Sequence, residues 1–138
     1  MSSMPEAGEE TIHKVVAGYY EAFVRDSGLA ATFYGEPTLI VLQNDVRCLP
    51  TRKDVQRFLA DGLQNLRSLG YSNTRMTASH AKRLTASNAL YTTVAVRMRA
   101  DGTELQRAAF TYVLHRGSGG WKIHALIAGE VASSSGLE

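Results

Sequence analysis

The sequence predicts an α+β fold: N-terminal helices packed on a strongly curved antiparallel β-sheet, forming a cone with a pocket. Three observations predict it. Apolar residues recur at spacings of three and four through Ile12, Val15, Val16, Tyr19, Tyr20 and Phe23, and again through Val55, Phe58, Leu59, Leu63 and Leu66. Each series marks a helix with one apolar face. From Ser72 to Glu130 the chain reads instead as three or four long strands ending on Gly119-Gly120-Trp121-Lys122-Ile123. Asp101-Gly102 and Gly117-Ser118-Gly119-Gly120 supply the hairpin turns between them.

The first helix stops at Asp26-Ser27-Gly28 by turn chemistry. Leu29 to Tyr34 can add one or two turns before Gly35 and Pro37 break them. Leu39-Ile40-Val41-Leu42 and Val46 to Leu49, joined at Asn44-Asp45, form a small hairpin. Thr51-Arg52-Lys53-Asp54 then has the form of a capping box, with Thr51 as N-cap and Asp54 reaching back. The helix it opens is closed by Gly70.

Counting back from Asp101-Gly102 sets Tyr91 opposite Tyr112 and Thr93 opposite Phe110. The glycine-rich loop sets Arg116 opposite Trp121, hence Tyr112 opposite Ala125, and a turn near Ala86-Ser87 sets His80 opposite Thr93. One face then gathers Ala78, His80, Tyr91, Thr93, Ala108, Phe110, Tyr112, Leu114, Ile123 and Ile127. The other gathers Val94, Val96, Met98, Ala109, Thr111, Val113, His124 and Leu126. Both faces are fairly apolar and few helices are available to cover them. One face therefore packs on the helices, and the outer one is expected to meet a second copy in a homodimer. A single bulge would swap the faces beyond it.

Composition sets the outer bounds. The chain has 138 residues, 44% hydrophobic and 20% charged, with a formal net charge of +2. Those values suit one globular domain, expected over residues 9–130 with flexible termini at 1–8 and 131–138. The small net charge implies no nucleic-acid partner. No apolar run approaches a membrane span and the N-terminus has no signal pattern, so a cytoplasmic location is expected. The lone Cys48 excludes an internal disulfide and reads as a small buried strand residue. The four histidines have no short ligand spacing, so neither a metal nor another cofactor is expected.

The order of elements, ending in Gly120-Trp121-Lys122-Ile123, resembles the nuclear transport factor 2-like superfamily, the cystatin-type cone fold. Phe33-Tyr34-Gly35-Glu36-Pro37, Leu49-Pro50-Thr51-Arg52, Leu69-Gly70-Tyr71-Ser72, Asp101-Gly102-Thr103-Glu104-Leu105 and Thr111-Tyr112-Val113-Leu114 look like a bacterial group of small uncharacterised members. The resemblance implies the fold and leaves activity open, since the superfamily holds isomerases, dehydratases, epoxide hydrolases, polyketide cyclases and binding modules. Members of the narrower group carry His-Asp after the last strand, where this chain has Gly129-Glu130.

Each chemistry of the superfamily finds a partial match. Isomerase-type enolisation needs a carboxylate base and a tyrosine. Tyr19 or Tyr20 supplies the second, but Leu39 to Leu42 offers no acid. For epoxide hydrolysis Arg97 can reach the cone, without a pair of aspartates. For dehydration His80, Tyr91, Tyr112 and Tyr20 come nearest, without an aspartate to orient the histidine. His80 is the candidate acid or base; its structural alternative is a half-buried strand histidine bonded to Thr93 or Tyr91. The pocket is expected to be lined by Tyr20, Phe33, Tyr34, His80, Tyr91, Tyr112 and Ile123, with core packing as the alternative for the tyrosines. His13 falls on the polar side of the first helix, and His115 and His124 at the surface or an interface. Arg97, Arg99, Arg107 and Arg116 read as solvated positions paired with neighbours such as Glu104. Functionally, the sequence implies binding of a small apolar or aromatic metabolite, with isomerase- or dehydratase-type catalysis left open. The alternative is a non-catalytic dimerisation or accessory module with a filled core.

Overall fold

The computed structural model describes residues 3–130, with side chains over 8–129. In chain order the elements are α1 (Ser3–Phe23), α2 (Ser27–Ala31), β1 (Tyr34–Val41), β2 (Val46–Leu49), α3 (Arg52–Ser68), β3 (Tyr71–Arg83), β4 (Asn88–Arg99), β5 (Glu104–Gly117) and β6 (Gly120–Glu130). The fold is α+β, with the helices on a six-stranded sheet of order β2-β1-β6-β5-β4-β3. The polar N-terminal segment is already helical from Ser3, and the expectations for residues 1–2 and 131–138 lie outside the described residues.

The apolar periodicities become the helix faces that build the core. Ile12, Val16, Tyr19, Tyr20 and Phe23 of α1 are buried, as are Val55, Leu59, Leu63 and Leu66 of α3. The capping box on α3 is complete: the Asp54 backbone N–H donates to Thr51 Oγ1 at 3.3 Å, and the Thr51 N–H donates to Asp54 Oδ2 at 3.1 Å. Gly70, with φ +101°, turns the chain from α3 into β3.

Two expectations about the sheet are corrected. It is mixed, because β1 pairs β6 in parallel, with Tyr34 beside Ile123 and Val41 beside Ile127. Turn counting identifies only partners joined by a tight turn, and β1 reaches β6 with no turn between them. The strong curl is also absent: the six strands form one continuous ladder that is not wrapped into a tight cone. Cys48 is exposed, because β2 is the edge strand.

Beside the β4–β5 turn Met98 faces Glu104 and not Leu105, and a bulge at Leu105 restores the counted register beyond it, where Tyr91 faces Tyr112 and Thr93 faces Phe110. Elsewhere bulges and turn length move the counted pairs. At the end of β5 and β6 Arg116 faces Trp121, but His124 is an extra residue between Leu114↔Ile123 and Val113↔Ala125. Tyr112 therefore faces Leu126, which turns inward and is buried, while Ile127 turns outward and is 43% exposed. The β3–β4 turn is centred half a residue from the expected place, which shifts each partner by one, so His80 faces Thr92. A second bulge, at Ala78 with φ 55°, separates Thr77↔Val94 from His80↔Thr92.

The parallel β1–β6 contact is close enough to require a glycine. A Cβ at Gly35 would overlap the His124 ring, whose Nδ1 is held 2.8 Å from the Pro37 carbonyl oxygen. Gly35→Ala should destabilise the fold by about 1–3 kcal/mol through overpacking, and adding His124→Ala should recover most of that loss. Urea unfolding of the two variants checks it, and equal destabilisation in both would contradict the contact.

Candidate functional site

A hollow of about 390 Å³ lies between α1, α3 and the inner sheet face. From α1 it takes Tyr19, Tyr20 and Phe23, and from α3 Phe58, Leu59, Gly62, Asn65 and Leu66. The sheet contributes Thr74, Arg97, Phe110, Tyr112, Leu126 and Ala128, and Leu42 and Gln43 enter from the β1–β2 connection. The helical periodicity of α1 aims its rings here, and the alternation along β5 places Phe110 and Tyr112 on the same face.

The aromatic rings interlock. Tyr19 meets Tyr34 edge-on at 5.2 Å between ring centroids and Tyr112 at 6.2 Å, while Phe110 stacks on Tyr112 at 6.0 Å. The Tyr20 and Tyr112 hydroxyls are hydrogen-bonded to one another at 2.5 Å. Burial pushes the Tyr19 phenol up to about 12 and raises Tyr20, Tyr34 and Tyr112 well above the ordinary tyrosine value. All four stay neutral at ordinary pH, so they act as hydrogen-bonding groups and not as bases. The lining carries no aspartate, glutamate or histidine among the described residues. Its guanidinium groups belong to Arg97 and Arg107, of which Arg107 is bound to Glu104 at 2.5 Å.

The expected site residues separate into three places. Tyr20 and Tyr112 line the large hollow. Tyr34 and Ile123 are fully buried in the core, and Phe33 is half-buried against it. His80 and Tyr91 border a different, shallower hollow with Glu9, Glu10, His13 and Ser79. There the Tyr91 hydroxyl is hydrogen-bonded to His13 Nδ1, so His13 is not a free polar-face residue. His80 is exposed and has left the face of Tyr112 by the one-residue shift described above. An arrangement of His80 with the Tyr20–Tyr112 pair around one ligand is therefore not present.

Arg97, expected both as able to reach the cone and as a solvated strand position, lines the hollow. It is two and four residues from Ala95 and Thr93, both buried on the inner face, so its alternation points it inward. The α3 contributions were hidden: periodicity finds the apolar stripe of a helix but does not say what faces it. His115 is exposed and His124 is half-buried beside it, their rings 5.9 Å apart. Arg99 donates to the Glu104 carbonyl oxygen at 2.8 Å, and Arg116 lies over Trp121 at 5.7 Å.

A six-stranded sheet carrying N-terminal helices, with an aromatic-lined hollow between the two layers, defines an NTF2-like, cystatin-like domain. Residues 9–131 match the family model described as NTF2-like protein (DUF6841), and the chain belongs to that family. No curated protein matches it. Among solved structures, an NTF2-like protein with a cystatin-like fold from Novosphingobium aromaticivorans superposes with a TM-score of 0.77 at 13% identity, covering 98% of this chain and 90% of the other. A domain of unknown function from Nostoc punctiforme gives 0.74 at 18% identity, covering 95% and 82%. A candidate dehydratase of the NTF2-like family from Streptomyces avermitilis gives 0.73 at 19% identity, covering 94% and 100%. At these identities the likeness is one of fold. No helix among the described residues is long and apolar enough to cross a membrane.

The buried phenols make alkaline stability a direct readout of the site. Unfolded tyrosines release their protons near 10, whereas folded Tyr19 keeps its own to about 12. Above pH 10 the unfolded chain thus binds fewer protons than the folded one. The stability that burial gives the phenol is complete below that pH and is lost as pH rises towards 12. The urea midpoint should fall between about pH 10 and 12, and a midpoint that stays level across that window would contradict the burial.

Proposed function

We propose that this protein binds a small apolar or aromatic molecule in the hollow between α1, α3 and the inner sheet face. One observation carries the reading: about 390 Å³ is left open beside a cluster of aromatic rings, within the roughly 300–1,000 Å³ range of small-molecule sites. The alternative, a non-catalytic dimerisation or accessory module, requires that volume to be filled by side chains.

Binding is favoured over proton transfer by the chemistry of the lining. Isomerisation or dehydration needs a base beside the ligand. The groups here are raised tyrosines, amides and guanidinium groups, none of them a base near neutral pH. The Tyr20–Tyr112 pair offers hydroxyls to a ligand carbonyl, a recognition role that needs no acid or base.

Gly62 gives a clean test, because it lines the hollow and nothing lies within 4 Å of where its Cβ would be. Gly62→Leu should fill the hollow while strengthening α3 by roughly 0.5–1 kcal/mol of helix propensity. The neutral fluorophore N-phenyl-1-naphthylamine should bind the wild type and lose about tenfold or more in affinity for Gly62→Leu. Equal binding to both folded proteins would place the fluorophore elsewhere and remove the basis of the reading.

We also propose that a second copy of the chain covers the outer sheet face. That face presents Val94, Met98, Val113 and Ala125 half-buried and Ile127 exposed, with Arg75 and Arg107 flanking Val96 at one end of it. Ile127→Glu should shift the protein to monomer in sedimentation velocity, with its folded circular dichroism retained. An unchanged sedimentation coefficient would argue against that interface.

A further inference from the structure

We propose that the molecule taken by the hollow carries an anionic group, of the carboxylate class, and that Arg97 receives it. This inference rests on the binding reading above and names the ligand class. Arg97 lines the hollow from near the C-terminal end of β4, standing between Thr74 and Gln106 in register. Its guanidinium lies over the Phe110 ring, 5.3 Å from the centroid, so its stem and plane are held against the aromatic floor. Its Nε is buried without a hydrogen-bond partner, and no carboxylate pairs with the group among the described residues.

A cation withdrawn from water without a counter-ion is costly unless something compensates it. The other charged group of the lining, Arg107, has its compensation in Glu104, bound through both Nε and Nη2 at 2.8 and 2.5 Å. Arg97 stands between the neutral Gln106 and Thr74 in register, with Gln43 and Asn65 elsewhere in the lining. Guanidinium presents a planar fork of donors that matches two carboxylate oxygens, while the aromatic floor accepts an apolar body. An aryl or alkyl carboxylic acid satisfies both at once. A neutral hydrocarbon of the same shape leaves the half-buried guanidinium and its buried Nε unpaired.

The test uses displacement of N-phenyl-1-naphthylamine by two matched probes, naphthalene-2-carboxylate and the uncharged naphthalene-2-carboxamide. Wild type should prefer the carboxylate by about tenfold or more. Arg97→Met, which keeps the stem over Phe110, should erase that preference while leaving the carboxamide within about twofold. Arg116→Met, which removes a cation outside the lining, should keep the preference. Equal displacement by the two probes in the wild type overturns the inference while the binding reading stands. So does a preference that survives in Arg97→Met or disappears in Arg116→Met. Failure of the fluorophore to bind at all removes the binding reading and this inference with it. If Arg97→Met does not fold, Arg97→Gln carries the same comparison, and the wild-type preference decides on its own.

Discussion

Everything in this structure depends on how the aromatic face of α1 seats on the inner face of β5. Tyr19 and Tyr20 both meet the Tyr112 ring at 6.2 Å, and the Tyr20 and Tyr112 hydroxyls bond to each other in the core. Hydrophobic burial brings the helix to the sheet, but burial is not directional. The hydroxyl pair is: a helix rotated or slid by one residue would leave two phenols without partners in a dry interior. The contact therefore fixes the position of α1, and with it one wall of the hollow.

The hollow exists because the two sides of that contact differ in size. Around Tyr112 the core is filled by Tyr19, Tyr34 and Phe110. Towards the far ends of α3, β5 and β6 the facing positions are Gly62, Ala108, Ala128 and Gly129, which cannot span the same gap. Large rings hold the layers apart at one place and small residues leave the space empty at another. Arg97 lies at this boundary, its guanidinium on Phe110, within the lining. The same packing that makes the cavity thus buries the Nε of the one guanidinium in the lining that lacks a carboxylate partner.

Much of the architecture was legible from local signals. The i, i+3, i+4 spacing of α1 and α3 and the Thr51–Asp54 capping box are written in short stretches of chain. The Asp101-Gly102 turn, with a compensating bulge at Leu105, gives the counted pairs of β4 and β5, including Tyr91 opposite Tyr112. What escaped was non-local or offset by single residues. The parallel pairing of β1 with β6 joins segments separated by most of the chain. His124 is one extra residue in β6, and it exchanged the faces of Leu126 and Ile127. For the site, Tyr20 and Tyr112 could be found from pattern. His80 was misplaced by a one-residue register difference, and of the two readings of Arg97, reaching the cone or standing solvated, its alternation favours the first.

The most direct measurement is a double-mutant cycle on the hydroxyl pair, by urea unfolding of Tyr20→Phe, Tyr112→Phe and the double variant. Each single change removes one hydroxyl and strands the other in the core; the double change removes both. The seating described above predicts that the singles each lose about 1–3 kcal/mol and that the double loses no more than either, a coupling of at least about 1 kcal/mol. Additive losses, with no coupling, would mean that the two hydroxyls do not meet, and that α1 is held on the sheet in some other way.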